Sequence, residues 1–174
     1  YIYRGGWSEQ LLGRWVENHG LRKKVVILGK GAHHPHCYPE AISRELDESL
    51  ERLRTYYVDI YMLHRDNVKV PVGEFVDVLN RELEAGRIRA FGGSNWTLER
   101  VKAANAYAEQ NDLQGFCALS NNFCLAQMVR PVWEGCISSS EPEFRRWHEE
   151  TGTPVIAWSS QGRGFFTGAT GSEV

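Results

Sequence analysis

Short apolar runs alternate with amphipathic helical stretches along the whole chain, and that alternation restricts it to very few folds. The apolar runs occupy residues 25–28, 59–64, 88–92, 116–119 and 154–158. The spacing predicts a helix over residues 8–19, with Ser8 as N-cap, Leu12, Trp15 and Val16 as the buried stripe, and Gly20 as terminator. A second helix starts near Pro39 and presents Ile42, Leu46, Leu50 and Leu53 on one side, with acids and bases opposite. A third starts near Pro71 and carries Phe75, Val78, Leu79 and Leu83; a fourth is capped by Thr97 and runs through Val101, Ala104 and Ala108. A last helix covers residues 141–150. Residues 124–140 have no clear period, include the polar run Ser138-Ser139-Ser140, and read as a long loop able to wall an active site.

Strands separated by helices of this length imply βα units and a parallel sheet. An open dinucleotide-binding sheet places a glycine-rich turn after its first strand, and neither Gly5-Gly6 nor Gly162-Arg163-Gly164 fits that pattern. The strand ends instead carry polar side chains, as the βα loops of a (β/α)8 barrel do. The expected fold is therefore α/β, a (β/α)8 TIM barrel with about five βα units present, in a single domain over residues 1–174. Such a stretch leaves open sheet edges and is expected to be poorly stable alone.

The net charge is −2 without runs of like charge, which gives no reason to expect a nucleic-acid or acidic-membrane partner. No apolar stretch is long enough to span a bilayer, the start has no signal-peptide pattern, and nothing specifies an oligomer. Cys37, Cys117, Cys124 and Cys136 form no CxxC pair; Cys117 and Cys124 are expected as buried free thiols, and a reducing cytoplasm fits that usage. The first residue is Tyr rather than Met, which suggests a partial chain.

Parallel strands bring their carboxyl ends to one face, so Lys30 and His64, each closing an apolar run, converge there. Tyr3, just ahead of the first helix, completes a phenol, an amine and an imidazole suited to proton transfer at a carbonyl oxygen. A neighbouring ammonium lowers a phenol from its ordinary pKa of about 10, which is the natural task for Lys30. His64 is placed to orient the carbonyl. A competing cluster, His33-His34-Pro35-His36-Cys37, is dense enough to bind a transition metal, but its spacing matches no common site and Pro35 breaks helical geometry. A polar βα loop is the preferred reading, with no metal.

Four stretches, in order, resemble the aldo-keto reductases: Ser8-Glu9-Gln10-Leu11-Leu12-Gly13, Asp59-Ile60-Tyr61-Met62-Leu63-His64-Arg65, Gly86-Arg87-Ile88-Arg89-Ala90-Phe91-Gly92-Gly93-Ser94-Asn95-Trp96, and Ile156-Ala157-Trp158-Ser159-Ser160-Gln161-Gly162-Arg163-Gly164. The resemblance implies a (β/α)8 barrel that reduces aldehydes or ketones with NADPH, NADH remaining open, and without a metal. It implies that Tyr3 is the acid, with Lys30 and His64 as its partners in an Asp, Tyr, Lys, His tetrad. Ser94, Asn95 and Ser120 would take the nicotinamide carboxamide, Trp158 would stack on the ring, and Ser159, Gln161 and Arg163 would complete the cofactor contacts.

The resemblance also marks departures. The family's aspartate would fall three residues ahead of Tyr1, and position 120, often glutamine in the family, is serine. A full barrel takes roughly 250 residues, so the first two strands, the eighth, and the segment that grips the adenosine phosphate are expected outside this stretch. Trp96 and the aromatic strand ends favour an apolar or ring-bearing carbonyl as substrate. Two other classes stay open: a reductase-like barrel that binds cofactor or a partner without turnover, and a metal-dependent barrel hydrolase or isomerase.

Overall fold

A computed structural model describes residues 4–169. Its centre is a parallel sheet in the order β1 (Leu28–Gly31), β2 (Val58–Leu63), β3 (Ile88–Gly93). Lys30 pairs with Met62 and Met62 with Gly92, while Gly29, Tyr61 and Phe91 form the adjacent row. Because side chains alternate across a pleat, the Tyr61–Phe91 row joins the helix-covered core and the Lys30–Met62–Gly92 row faces the opposite side.

Two more segments extend the sheet beside β3. Cys117 and Ser120 donate backbone N–H bonds to Phe91 and Gly93 (2.9 and 2.8 Å), and Leu119 and Ile156 link the next pair (3.1 and 2.8 Å). The order of parallel neighbours is the one expected, but the last two segments form only isolated bridges, Gly93 to Leu119, Leu119 to Val155 and Asn122 to Trp158. The first strand is also displaced: ladder pairing runs from Leu28 to Gly31, while Ile27 meets β2 through its carbonyl, which accepts from Asp59 and Ile60 N–H, and through its N–H, which donates to Asp59 Oδ2.

Helices α1 (Trp7–Asn18), α2 (Pro39–Leu53), α3 (Val72–Glu84), α4 (Leu98–Gln110) and α5 (Pro142–Thr151) follow the expected order. In α2, Ile42, Leu46, Leu50 and Leu53 are all buried, and α4 starts on Thr97, whose hydroxyl accepts the Arg100 N–H at 3.3 Å. The core runs from these residues through Phe75, Val76 and Leu79 of α3 to Phe144 and Trp147 of α5.

Helix α1 departs from expectation. It begins one residue earlier, after a left-handed Gly6, so Ser8 lies inside the helix and does not cap it. Leu12 and Trp15 are exposed, and Gly13 with Val16 forms the buried contact. The reason is a backbone approach: a Cβ on Gly13 would lie 2.6 Å from the Leu53 carbonyl, so the helix seats where it has no side chain. An Arg52–Glu9 ion pair at 2.5 Å fixes that seat. Trp96 is fully buried, edge-on to Phe75 and Phe116 at 5.4 and 5.0 Å, so it packs the core and does not shape the substrate side. All four cysteines are free; Cys37 and Cys136 are the buried ones, while Cys117 and Cys124 are half-buried. Among the described residues, no helix is long and apolar enough to cross a membrane.

Candidate active site

The carboxyl ends of the five parallel segments share one rim because the register steps evenly: His64 N–H reaches Gly31 O, Ser94 N–H reaches Leu63 O (both 2.7 Å), and Ser120 N–H reaches Gly93 O. Lys30, His64, Ser94, Asn95, Trp158 and Ser159 open onto one cleft of about 180 Å³, together with Arg65, Trp133 and Cys136. Ser120 joins them from below by accepting a 2.8 Å bond from Lys30 Nζ. Gln161 is exposed and, with Arg163, lies outside this cleft. Arg163 lines an adjoining cleft of about 290 Å³ that shares Ser159, and its guanidinium sits 5.1 Å from the Trp133 ring centre. Tyr3 lies outside the described residues.

The rim is held by buried amides and hydroxyls. Asn95, one residue past Ser94, has a left-handed backbone (φ 60°), which Asn tolerates better than most side chains. Its Nδ2 donates to Ser94 Oγ at 2.9 Å, its Oδ1 accepts the Ile137 N–H at 3.1 Å, and its own N–H donates to Asn121 Oδ1 at 2.7 Å. Ser94 Oγ donates in turn to Ser120 O at 2.5 Å, and Asn121 Nδ2 to Ser139 Oγ at 3.2 Å. Asn122 accepts from Ser138 Oγ at 3.1 Å. The loop over residues 124–140 is therefore pinned to the strand ends at its polar Ser138-Ser139 run, as a wall of the site should be. The resemblance singled out Asn95 only as a cofactor contact; that it clamps a distant loop required the fold.

Electrostatically the cleft is cationic. Burial, then the Arg65 guanidinium, lowers the Lys30 ammonium from its ordinary value. Burial, then the charges of Lys30, His33 and Arg65, pushes His64 down to about 3, so its imidazole is neutral at physiological pH. The His33 ring stands edge-on to His64, 4.7 Å between centres, which adds a histidine that sequence spacing placed in the metal cluster instead. The rest of that cluster stays local: His34 Nδ1 meets Cys37 Sγ at 3.6 Å, and burial raises the thiol to about 11. Among the described residues, no group of three or more His, Cys, Asp or Glu is arranged to hold a metal. Arg65, Cys136 and Trp133 are cleft residues that no sequence motif singled out, apart from the position of Arg65 beside His64.

The arrangement offers an ammonium and a neutral imidazole beside a half-buried indole, with unused acceptor lone pairs on Ser94 and Asn95. The cleft is below the roughly 300 Å³ of a small-molecule site, so it fits a ring-sized head group while any longer ligand continues into the cleft beyond Ser159.

Known proteins share this architecture. The profile of the aldo/keto reductase family matches residues 1–173. An aldo/keto reductase from Klebsiella pneumoniae, solved in complex with NADP and acetate, superposes with a TM-score of 0.72 at 27% identity, covering 90% of this chain and 50% of that one. A second Klebsiella aldo-keto reductase, in complex with NADPH, gives 0.74 at 26% identity, with 91% and 50% covered. The aldo-keto reductase YhdN of Bacillus subtilis is 32% identical over 119 residues, 64% of this chain and 36% of that protein. The aldo-keto reductase yakc [NADP(+)] of Schizosaccharomyces pombe is 27% identical over 180 residues, 97% of this chain and 48% of its own length. The chain thus spans about half the length, or less, of these relatives, and its five parallel segments are an arc of their (β/α)8 barrel. Its strand order, its polar rim and its likeness over nearly every residue place the chain in the aldo/keto reductase family.

Proposed function

We propose that the protein carrying this chain is an NADP(H)-dependent oxidoreductase that reduces aldehyde or ketone carbonyls to alcohols. The observation that carries the reading is the meeting of Lys30, His64, Ser94, Asn95, Trp158 and Ser159 on a single cleft at the strand ends. When bound, the nicotinamide cofactor supplies the hydride. Trp158 would flank its ring, the acceptor oxygens of Ser94 and Asn95 would take its carboxamide, and Ser159 leads to Arg163 in the next cleft, where a cation suits the phosphates. Gln161 stands at the turn into that cleft.

Hydride arrival leaves charge on the carbonyl oxygen, which must meet a proton donor. Tyr3 is the acid in this reading. Lys30 provides the positive charge that favours the phenolate, and its bond to Ser120 holds the ammonium on the rim. His64, kept neutral by burial and by the cations around it, would orient the carbonyl oxygen without a charge to compete with Lys30. Tyr3→Phe in the intact protein should lower kcat for carbonyl reduction by at least ~100-fold while NADPH still quenches tryptophan fluorescence. A variant that retains turnover would refute the tyrosine's role. NADPH binding by the intact protein without oxidation by any of a panel of aldehydes and ketones would select a non-catalytic binding module instead.

A further inference from the structure

The cleft holds a charge that the proposed reduction does not use. Arg65 is only 8% exposed, yet its guanidinium touches neutral groups alone: Nη1 donates to His64 O at 3.4 Å and Nη2 to Cys136 Sγ at 3.6 Å, both weak contacts. Among the described residues, no carboxylate forms an ion pair with it. The acid next to it in sequence is taken, since both oxygens of Asp66 are held at 2.8 Å by Arg100. The other cation on the cleft, Lys30, hydrogen-bonds a neutral hydroxyl and adds repulsion rather than relief. A buried, always-charged guanidinium needs an anion, and a carboxylate matches its planar donor fork in two parallel bonds. Arg65 lines the cleft together with His64, Trp133 and Trp158, the two indole ring centres lying 6.1 Å apart with their planes tilted by 47°.

We propose that Arg65 is a specificity-determining residue that selects carbonyl substrates bearing a carboxylate, gripping that group while the carbonyl oxygen lies at His64. Lying next to His64 in the chain, it sets the distance between the two functional groups. Trp133, which lines the same cleft, gives the substrate body an aromatic wall to rest on, Trp158 being left to the cofactor ring. The inference rests on the oxidoreductase reading above for its catalytic part, but not for its binding part.

The test compares 3-carboxybenzaldehyde with 3-methylbenzaldehyde in the intact protein, wild type and Arg65→Met, with NADPH. The wild type should prefer the carboxylated aldehyde, and the ratio of kcat/KM for the two should fall about 10- to 100-fold in Arg65→Met, mainly through KM. Arg65→Lys should recover part of the ratio by charge alone, and circular dichroism of both variants guards against misfolding. In parallel, benzoate binding is followed by quenching of tryptophan fluorescence, which needs no turnover. If neither aldehyde is reduced yet benzoate binds and loses affinity in Arg65→Met, the oxidoreductase reading fails and the carboxylate site stands. An unchanged ratio with unchanged benzoate affinity overturns the inference and leaves the reductase reading intact. A loss of NADPH affinity with the ratio preserved overturns it too, by assigning Arg65 to the cofactor.

Discussion

His64 is a histidine whose task is to stay uncharged. Burial and the charges of Lys30, His33 and Arg65 bring it to about 3, against an ordinary value of 6.5. The consequence for stability has a definite sign. Above pH 6.5 both folded and unfolded chains are neutral at this position. As the pH falls from there toward 3, only the unfolded chain gains the proton, so acid withdraws stability. We expect His64→Gln to lose less stability than wild type between pH 7 and pH 5, read from urea midpoints at each pH. Parallel midpoint shifts for the two proteins would show that His64 titrates normally in the fold. At the same scale Lys30 and His64 were legible in the sequence because each closes an apolar run, and strand ends are where parallel topology collects side chains. Arg65 and Cys136 were not, because what marks them is the lack of a carboxylate at one and its 3.6 Å contact with the other, facts that exist only in three dimensions.

Among the elements, the strands show how tightly this rim is spaced. A Cβ on Gly92 would stand 2.1 Å from the Ala118 carbonyl oxygen, a backbone atom that cannot swing away. Gly92→Ala should therefore pry the fourth segment from β3 and cost about 3 kcal/mol. Gly29, two strands away in β1, has nothing nearer than 3.5 Å to such a Cβ, so Gly29→Ala should change stability by less than about 1 kcal/mol. Guanidinium denaturation of both variants decides it, and equal losses would mean that the β3 contact is not tight. The helices divide in the same way between what pattern reveals and what it hides. In α2, spacing alone identified the buried face, since Ile42, Leu46, Leu50 and Leu53 pack a continuous core. In α1 the same reasoning chose Leu12 and Trp15 and failed, because the helix docks through the absence of a side chain at Gly13, and periodicity counts only side chains that are there.

For the molecule as a whole, the sheet ends at β1, whose outer edge pairs with nothing among the described residues. On the same side of the fold as α2, helix α1 carries Trp7, Leu11 and Trp15 exposed at four-residue intervals. An unpaired edge and an apolar stripe together favour association. Residues 1–174 expressed alone should therefore scatter light increasingly with concentration, and Trp15→Glu should reduce that scattering; concentration-independent monomers would contradict it. The order of five parallel segments, and hence the rim, was readable from alternation alone, whereas the shortness of the last two was set by how few bonds their neighbours offer. The long loop is moored in two different ways. Asn95 takes hold of residue 137 by its main-chain amide and ignores the isoleucine side chain. That grip reads only backbone, whereas residues 138 and 139 are caught by their hydroxyls, so exchanges of equal length confined to residues 125–135 can re-tune which molecules are accepted while the two serines, and the proton-handling edge at Lys30 and His64, remain as they are.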